Sequence, residues 1–338
     1  MGFMIKFENL AMVAHTIVSR IVVWRFVKFI HWDYMDQKMN VYIWDMDETL
    51  ILLKSLINGT YAEAFNGSKN VQTGVEIGKM WEDHILQICD DHFFYEQVEN
   101  CNMPYLDVMK QYDDGRDLTD YDFSKDGFGP PCDDLNKRKL AYRHRSIEQK
   151  YKKGLHSILD QDMIKSWREL SDVTDSYTDM WFSAAKACLE QCAVGNRDLA
   201  SSSSSAVATN DTIFQHVNIL VTSGSLIPSL VKCLLFRLGD LIPSENVYSS
   251  WEVGKLQCFS WIKERFSGPN VQFCVIGDGW EECEAAESMR WPFVKIDPRP
   301  SSYHRFPGLT PKELGHYFSV VYGESDSKDN DRLAPSGS

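Results

Sequence analysis

The sequence predicts an α/β protein: a Rossmann-like parallel sheet with helices on both faces, interrupted after its first strand by a large helical insertion. Three observations carry that prediction. Short β-rich apolar runs ("VYIW", "NILVT", "VYSS", "FCVIG", "PFVKI") recur with helix-patterned segments between the later ones, as in a parallel sheet buried on both sides. Between the first and second runs, residues 55–215 read as largely helical. The runs also end in chemistry-bearing residues, and in open parallel sheets the ligand crevice lies at those carboxyl ends.

The elements follow in order. Residues 1–39 are apolar but broken by Arg20, Arg25 and Lys28, so they fail as a clean membrane span. No small-residue cleavage site follows, and Lys6 stands where a myristoylation motif needs Ser or Thr. This stretch reads as an extension, with translation expected to start at Met35 or Met39 and an organelle-targeting presequence as the alternative. The core is expected at 40–54 and 216–322, and the inserted helical region at 55–215.

Within the insertion, Ile77, Trp81, Ile85 and Ile88 mark one helix. Met163, Trp167, Leu170, Val173, Tyr177 and Trp181 mark a second, longer one, which Cys188 and Cys192 extend as core thiols. "KQYDDGRDLTDYDFSKDGFGPPCDDL" is loop with turn chemistry, and "GNRDLASSSSSAVATND" is a solvated connector. In the resumed core, "SLIPSLVKCLLFRLG" is a helix with Pro228 in its first turn and Gly239 as its stop. "GKLQCFSWIKERFSG" and "EECEAAESMR" are two more. Residues 323–338 read as a disordered polar tail.

A net charge of −13 and a pI near 5.2 argue against a nucleic-acid surface or a polybasic membrane contact. Nine cysteines with no CxxC pair point to a reducing compartment rather than a disulfide framework. A chain this acidic repels phosphate and needs a local cation to handle it.

The strand ends supply such chemistry. "VYIWDMDET" places Asp45 and Asp47 after the first strand, Thr222 and Ser223 follow "NILV", and Asp278 follows "FCVIG". Lys255 opens the helix after "VYSS". Clustered carboxylates resist joint ionisation, and an all-oxygen ligand set suits Mg²⁺. On this reading Asp45 is a carboxylate nucleophile and Asp47 a general acid and base, contributing to the metal only through its backbone carbonyl. Thr222, with Ser223 as the alternative, and Lys255 bind the phosphoryl oxygens, and Asp45, Asp47 and Asp278 hold the metal. Glu281 and Glu282, which follow the third aspartate, read as helix-start acidity, with one of them orienting a metal-bound water as the alternative.

"DMDET", "VTSG", "GK" and "IGDG" resemble the four motifs of haloacid dehalogenase-like phosphohydrolases. "YIWDMDETLILLKSLINGTYAEAF", "DGRDLTDYDFSKDGF" and "KLAYRHRSIEQKY" resemble the Eyes absent family more narrowly, over about 40–319. That resemblance implies a haloacid dehalogenase core with the insertion as its cap. It also implies a Mg²⁺-dependent protein tyrosine phosphatase acting on phosphotyrosine-containing proteins or peptides, in nucleus and cytoplasm. Animal members add a long transactivation region and homeodomain transcription-factor partners. Nothing like that region is visible, so the chain resembles the short plant form. A small-metabolite phosphatase and a non-catalytic co-activator or adaptor are the alternatives, and neither direct nucleic-acid binding nor a membrane contact is expected.

Overall fold

A computed structural model describes residues 38–194 and 214–323. The expectations for the N-terminal extension, apart from its last two residues, for the serine-rich connector and for the tail beyond Gly323 lie outside the described residues. Five strands form one sheet: β1 (Lys38–Trp44), β2 (Phe214–Thr222), β3 (Val247–Ser249), β4 (Val271–Gly277) and β5 (Phe293–Lys295). All neighbours are parallel and the order is β3-β2-β1-β4-β5, so the first strand lies at the centre. Trp44 is in register with Leu220 on one side and Ile276 on the other. β1 begins at Lys38 and buries Met39, two residues that the sequence assigns to the extension.

Side chains alternate across a strand, and β1 uses both faces. Val41 and Ile43 join a core with Phe259, Ile262 and Ala286, whereas Tyr42 and Trp44 join a second core on the opposite face. The covering helices are α1 (Val71–Phe93), α2 (Asp134–Lys153), α3 (Gln161–Tyr177), α4 (Trp181–Val194), α5 (Leu226–Leu235), α6 (Lys255–Arg265), α7 (Trp280–Met289) and α8 (Pro311–Tyr322). α1 is capped by Asn70, whose side chain accepts from the Thr73 N–H at 3.0 Å, and it buries Ile77, Trp81, Ile85 and Ile88 as their spacing predicts.

Two features depart from the sequence reading. The long helix expected from Met163 to Cys192 is two helices, because Asp179 and Met180 both take left-handed backbone angles, with φ 57° and 66°. The Asp175 carboxylate then caps α4, accepting from the N–H groups of Phe182 at 3.0 Å and Ser183 at 3.2 Å. Val173 is left exposed, while Cys188 and Cys192 are buried thiols. Secondly, α8 was not anticipated. Its start is a capping box between Thr310 and Glu313 with Pro311 in the first turn, a signal readable in "TPKE".

The inserted region also packs directly on the core. Its last helix packs on the sheet: the Asn218 amide donates to the Leu189 carbonyl at 3.1 Å and accepts from the Trp44 indole at 3.0 Å. The Trp181 indole donates to the Thr49 carbonyl at 3.1 Å. One continuous core runs from Tyr42 and Trp44 through Trp81, Leu140 and Trp167. A parallel sheet needs cover on both faces, and α4 supplies part of it. Among the described residues, no helix is long and apolar enough to cross a membrane.

Candidate active site

Asp45 keeps the phase of Val41 and Ile43, so it turns toward the face covered by α6 and α7. Its N–H donates to the Ile276 carbonyl at 2.9 Å, extending the β1–β4 ladder by one residue. Lys255, the first residue of α6, donates to Asp45 Oδ1 at 2.5 Å and also to Glu282 on α7. The Thr49 hydroxyl lies 3.4 Å from both Asp45 Oδ2 and Asp278 Oδ1. Asp45, Lys255 and Glu282 are each about 95% buried, with relative exposures of 5%, 4% and 5%.

The chain then folds tightly on itself. The Met46 carbonyl accepts from the N–H groups of Thr49, Leu50 and Ile51 at 3.3, 2.9 and 3.1 Å. Glu48 sits at φ 62°, a left-handed conformation that costs a non-glycine residue about 1–2 kcal/mol. It is held by its N–H on the Ile51 carbonyl at 2.7 Å and by its carboxylate, which accepts from the Ser55 N–H at 3.0 Å. The outcome is a separation of the two aspartates. While Asp45 meets Lys255, the Asp47 carboxylate receives Lys232 Nζ from α5, at 2.7 Å to Oδ1 and 3.0 Å to Oδ2.

Sequence reasoning missed Lys232. Its signal is a lone cation in "LVKCLL", where Leu230, Val231, Cys233, Leu234 and Leu235 are all buried; a lysine on so apolar a helix is expected to have a carboxylate partner. Thr222 ends β2 with its side chain fully buried. Its carbonyl accepts from the Ser250 N–H at 2.8 Å and the Ser250 hydroxyl at 3.0 Å, and its own hydroxyl accepts from the Gly224 N–H at 3.1 Å. A Cβ built on Gly224 would stand 3.5 Å from the Thr222 hydroxyl and 4.0 Å from Asp47 Oδ2, so these two groups converge on one point. Ser223 is exposed.

The buried part of the site is short of positive charge. Carboxylate oxygens of Asp45, Asp278 and Glu282 all lie within 4.8 Å of one another, against the single ammonium of Lys255. Burial raises the Asp45 carboxyl pKa, Lys255 opposes the rise, and Glu282 and Asp278 add to it. Burial likewise raises Asp278, with Glu282 adding to the effect. Burial alone would lower Lys255, but Asp45 and Glu282 outweigh it and hold the ammonium above its ordinary range. Glu282 Oε2 is buried without a partner among the described residues. Two glycines make room for that side chain, since a Cβ on Gly279 would meet Glu282 Oε2 at 2.4 Å and one on Gly277 would meet Glu282 Cγ at 3.0 Å.

Glu282 lies in the first turn of α7, as expected of helix-start acidity, and its carboxylate is also buried in the cluster. An all-oxygen cluster carrying excess negative charge and one unsatisfied carboxylate oxygen fits a hard divalent cation such as Mg²⁺. The Asp47 carboxylate is not part of this cluster.

No family model matches the chain. Protein phosphatase EYA of Arabidopsis thaliana is 62% identical over 292 residues, covering 86% of this chain and 94% of that protein. Protein phosphatase EYA2 of Homo sapiens is 34% identical over 272 residues, 76% of this chain and 47% of that protein. Protein phosphatase eya of Drosophila melanogaster is 32% identical over 275 residues and is covered to 33%. The chain thus spans half or less of these two animal relatives. Among solved structures, a haloacid dehalogenase-like family hydrolase from Xanthomonas campestris overlaps 85% of this chain and 100% of its own, at 13% identity and a TM-score of 0.36, too low to bear on the site.

Proposed function

The chain belongs to the Eyes absent family of protein phosphatases, and from that premise we propose that it hydrolyses phosphotyrosine in proteins or peptides with Asp45 as the nucleophile. One observation carries the reading: two carboxylates from one loop are separated onto two lysines, Asp45 buried against Lys255 and Asp47 part-exposed against Lys232. Environments that separate neighbouring carboxylates assign them different tasks.

The chemistry then runs in two halves. Asp45 attacks phosphorus, a bond to its carboxylate oxygen forms, and the bond to the tyrosyl oxygen breaks with its electron pair leaving on that oxygen. Asp47 supplies the proton the departing oxygen takes up, then accepts one from the water that cleaves the aspartyl phosphate. Lys255 and the Thr222 hydroxyl bind phosphoryl oxygens, with Ser223 as the alternative to Thr222. Mg²⁺, held by Asp45, Asp278 and the Asp47 carbonyl, would neutralise the charge of the phosphate dianion when bound. Phenol, with a pKa near 10, leaves with modest help, which favours aryl phosphates. Residence in nucleus and cytoplasm and a transcription-factor partner are proposed on the resemblance alone.

The test is a rate comparison with Mg²⁺ present: phosphotyrosine, phosphoserine and phosphothreonine peptides against a panel of phosphorylated metabolites. The phosphotyrosine peptides are expected to have the highest kcat/KM, and EDTA is expected to remove turnover of all substrates. Metabolites turned over equally well or better would favour a small-metabolite phosphatase.

Lys232 anchors Asp47 and so bears on proton transfer. Lys232→Met is expected to lower kcat by about 10²-fold, at the lower end of general acid–base contributions. The loss should be larger for phenyl phosphate than for p-nitrophenyl phosphate, whose leaving group needs no proton, and Lys232→Arg should recover most of it. Equal losses on both substrates would contradict this role.

A further inference from the structure

Two tryptophans have no part in the chemistry above. Among the described residues Trp251 and Trp280 are the exposed tryptophans, at 67% and 71%, whereas Trp44, Trp81 and Trp181 are at most 1% exposed. Both lie at the carboxyl edge of the sheet, where the site is. Ser249 is in register with Thr222, and Trp251 stands two residues beyond it. Trp280 stands two residues beyond Asp278 and opens α7.

The helices that these tryptophans precede or open are neighbours in the layer over the sheet. Trp251 precedes α6, and α6 and α7 share one core through Phe259, Ile262, Ala285 and Ala286. Lys255 at the start of α6 is bonded to Glu282 in the first turn of α7, so the two helix starts lie together over Asp45. The axes of packed helices are about 8–10 Å apart. An aromatic ring between two others needs about 9–14 Å, twice a ring-to-ring separation of 4.5–7 Å. Leu256, next to Lys255, adds a further exposed apolar group at 47%.

We propose that Trp251 and Trp280 form the substrate rim of this site, receiving the tyrosyl ring whose phosphate reaches toward Lys255 and Thr222. The proposal rests on the phosphatase reading above and deepens it by naming what recognises the aryl group. Large exposed aromatics bordering a polar crevice give contact area at small entropic cost. Here Trp251 follows the strand end whose Ser249 is in register with Thr222, and Trp280 follows the strand end that leads into Asp278. A phosphorylated serine or a small alkyl phosphate reaches the same carboxylate but has no ring to place between the indoles.

The experiment measures kcat/KM for a phosphotyrosine peptide and for a small alkyl phosphate, with wild-type protein and with Trp251→Ala, Trp280→Ala and the double variant. The ratio of the two values should fall about tenfold for each substitution, mostly through a higher KM for the peptide, which is the size of one lost aromatic contact. Trp→Phe at either position should restore most of the ratio. Because both side chains are exposed, the variants are expected to melt with the wild type. A ratio unchanged in the double variant overturns the rim while leaving the phosphatase reading intact. A wild-type protein that does not hydrolyse the peptide at all overturns both.

Discussion

Asp45→Asn is expected to abolish phosphatase turnover, by at least about 10⁴-fold, and to leave a folded protein. The amide oxygen has neither the charge nor the basicity to attack phosphorus, and loss of a nucleophile typically removes most of an enzyme's rate enhancement. The fold should survive for a local reason. Lys255 keeps Glu282 as a partner, and the substitution takes one carboxylate out of a buried cluster that has too many. Melting without added metal should therefore be at or above the wild-type temperature. Turnover within tenfold of wild type would exclude Asp45 as the nucleophile, whatever the substrate.

Lys255→Met is the complementary case, in which activity and stability both fall. Methionine fills the space but leaves Asp45 and Glu282 buried without a cation, and removing one partner of a buried ion pair costs about 3–5 kcal/mol. Urea unfolding without metal should register a loss of that size. Turnover should drop about 10²–10³-fold, the range seen when one donor to a developing charge is removed. Added Mg²⁺ should recover part of the stability, because it supplies positive charge to the same carboxylates, but should not restore the rate. Equal stability of variant and wild type in the absence of metal would mean that the carboxylates are not charged as described.

Much of this was legible in the sequence, and what was not has common physical causes. The apolar runs fix strands because a doubly covered parallel sheet demands them, and the rule that ligands gather at strand ends brought Asp45, Thr222, Lys255 and Asp278 to one place. Lys232 was missed, and the part Glu282 takes in the cluster stayed only an alternative, because both depend on contacts across the fold. Lys232 meets a residue 185 positions away, and Glu282 looks like any acidic residue near a helix start until glycines at 277 and 279 let it turn inward. The break between α3 and α4 was hidden because Trp181, buried directly after the two left-handed residues, keeps the four-residue spacing of Val173 and Tyr177, so the periodicity passes through it. Helical spacing likewise reports which face is buried, not whether the partner is another inserted helix or the sheet, as it is for Leu189.

Two aspartates one residue apart would repel one another, and the loop that follows them keeps their carboxylates apart. The Met46 carbonyl and the left-handed Glu48 turn the chain so that successive carboxylates face α6 and α5 rather than each other. A one-residue insertion between Asp45 and Asp47 would change the phase on which both lysine contacts depend.

The most direct measurement traps the covalent form. Rapid acid quenching during turnover of a phosphotyrosine peptide, borohydride reduction and peptide mapping should convert Asp45, and no other carboxylate, to homoserine. Reduction at Asp47, or a phosphoryl group recovered on a cysteine, would contradict a buried Asp45 that bonds to phosphorus.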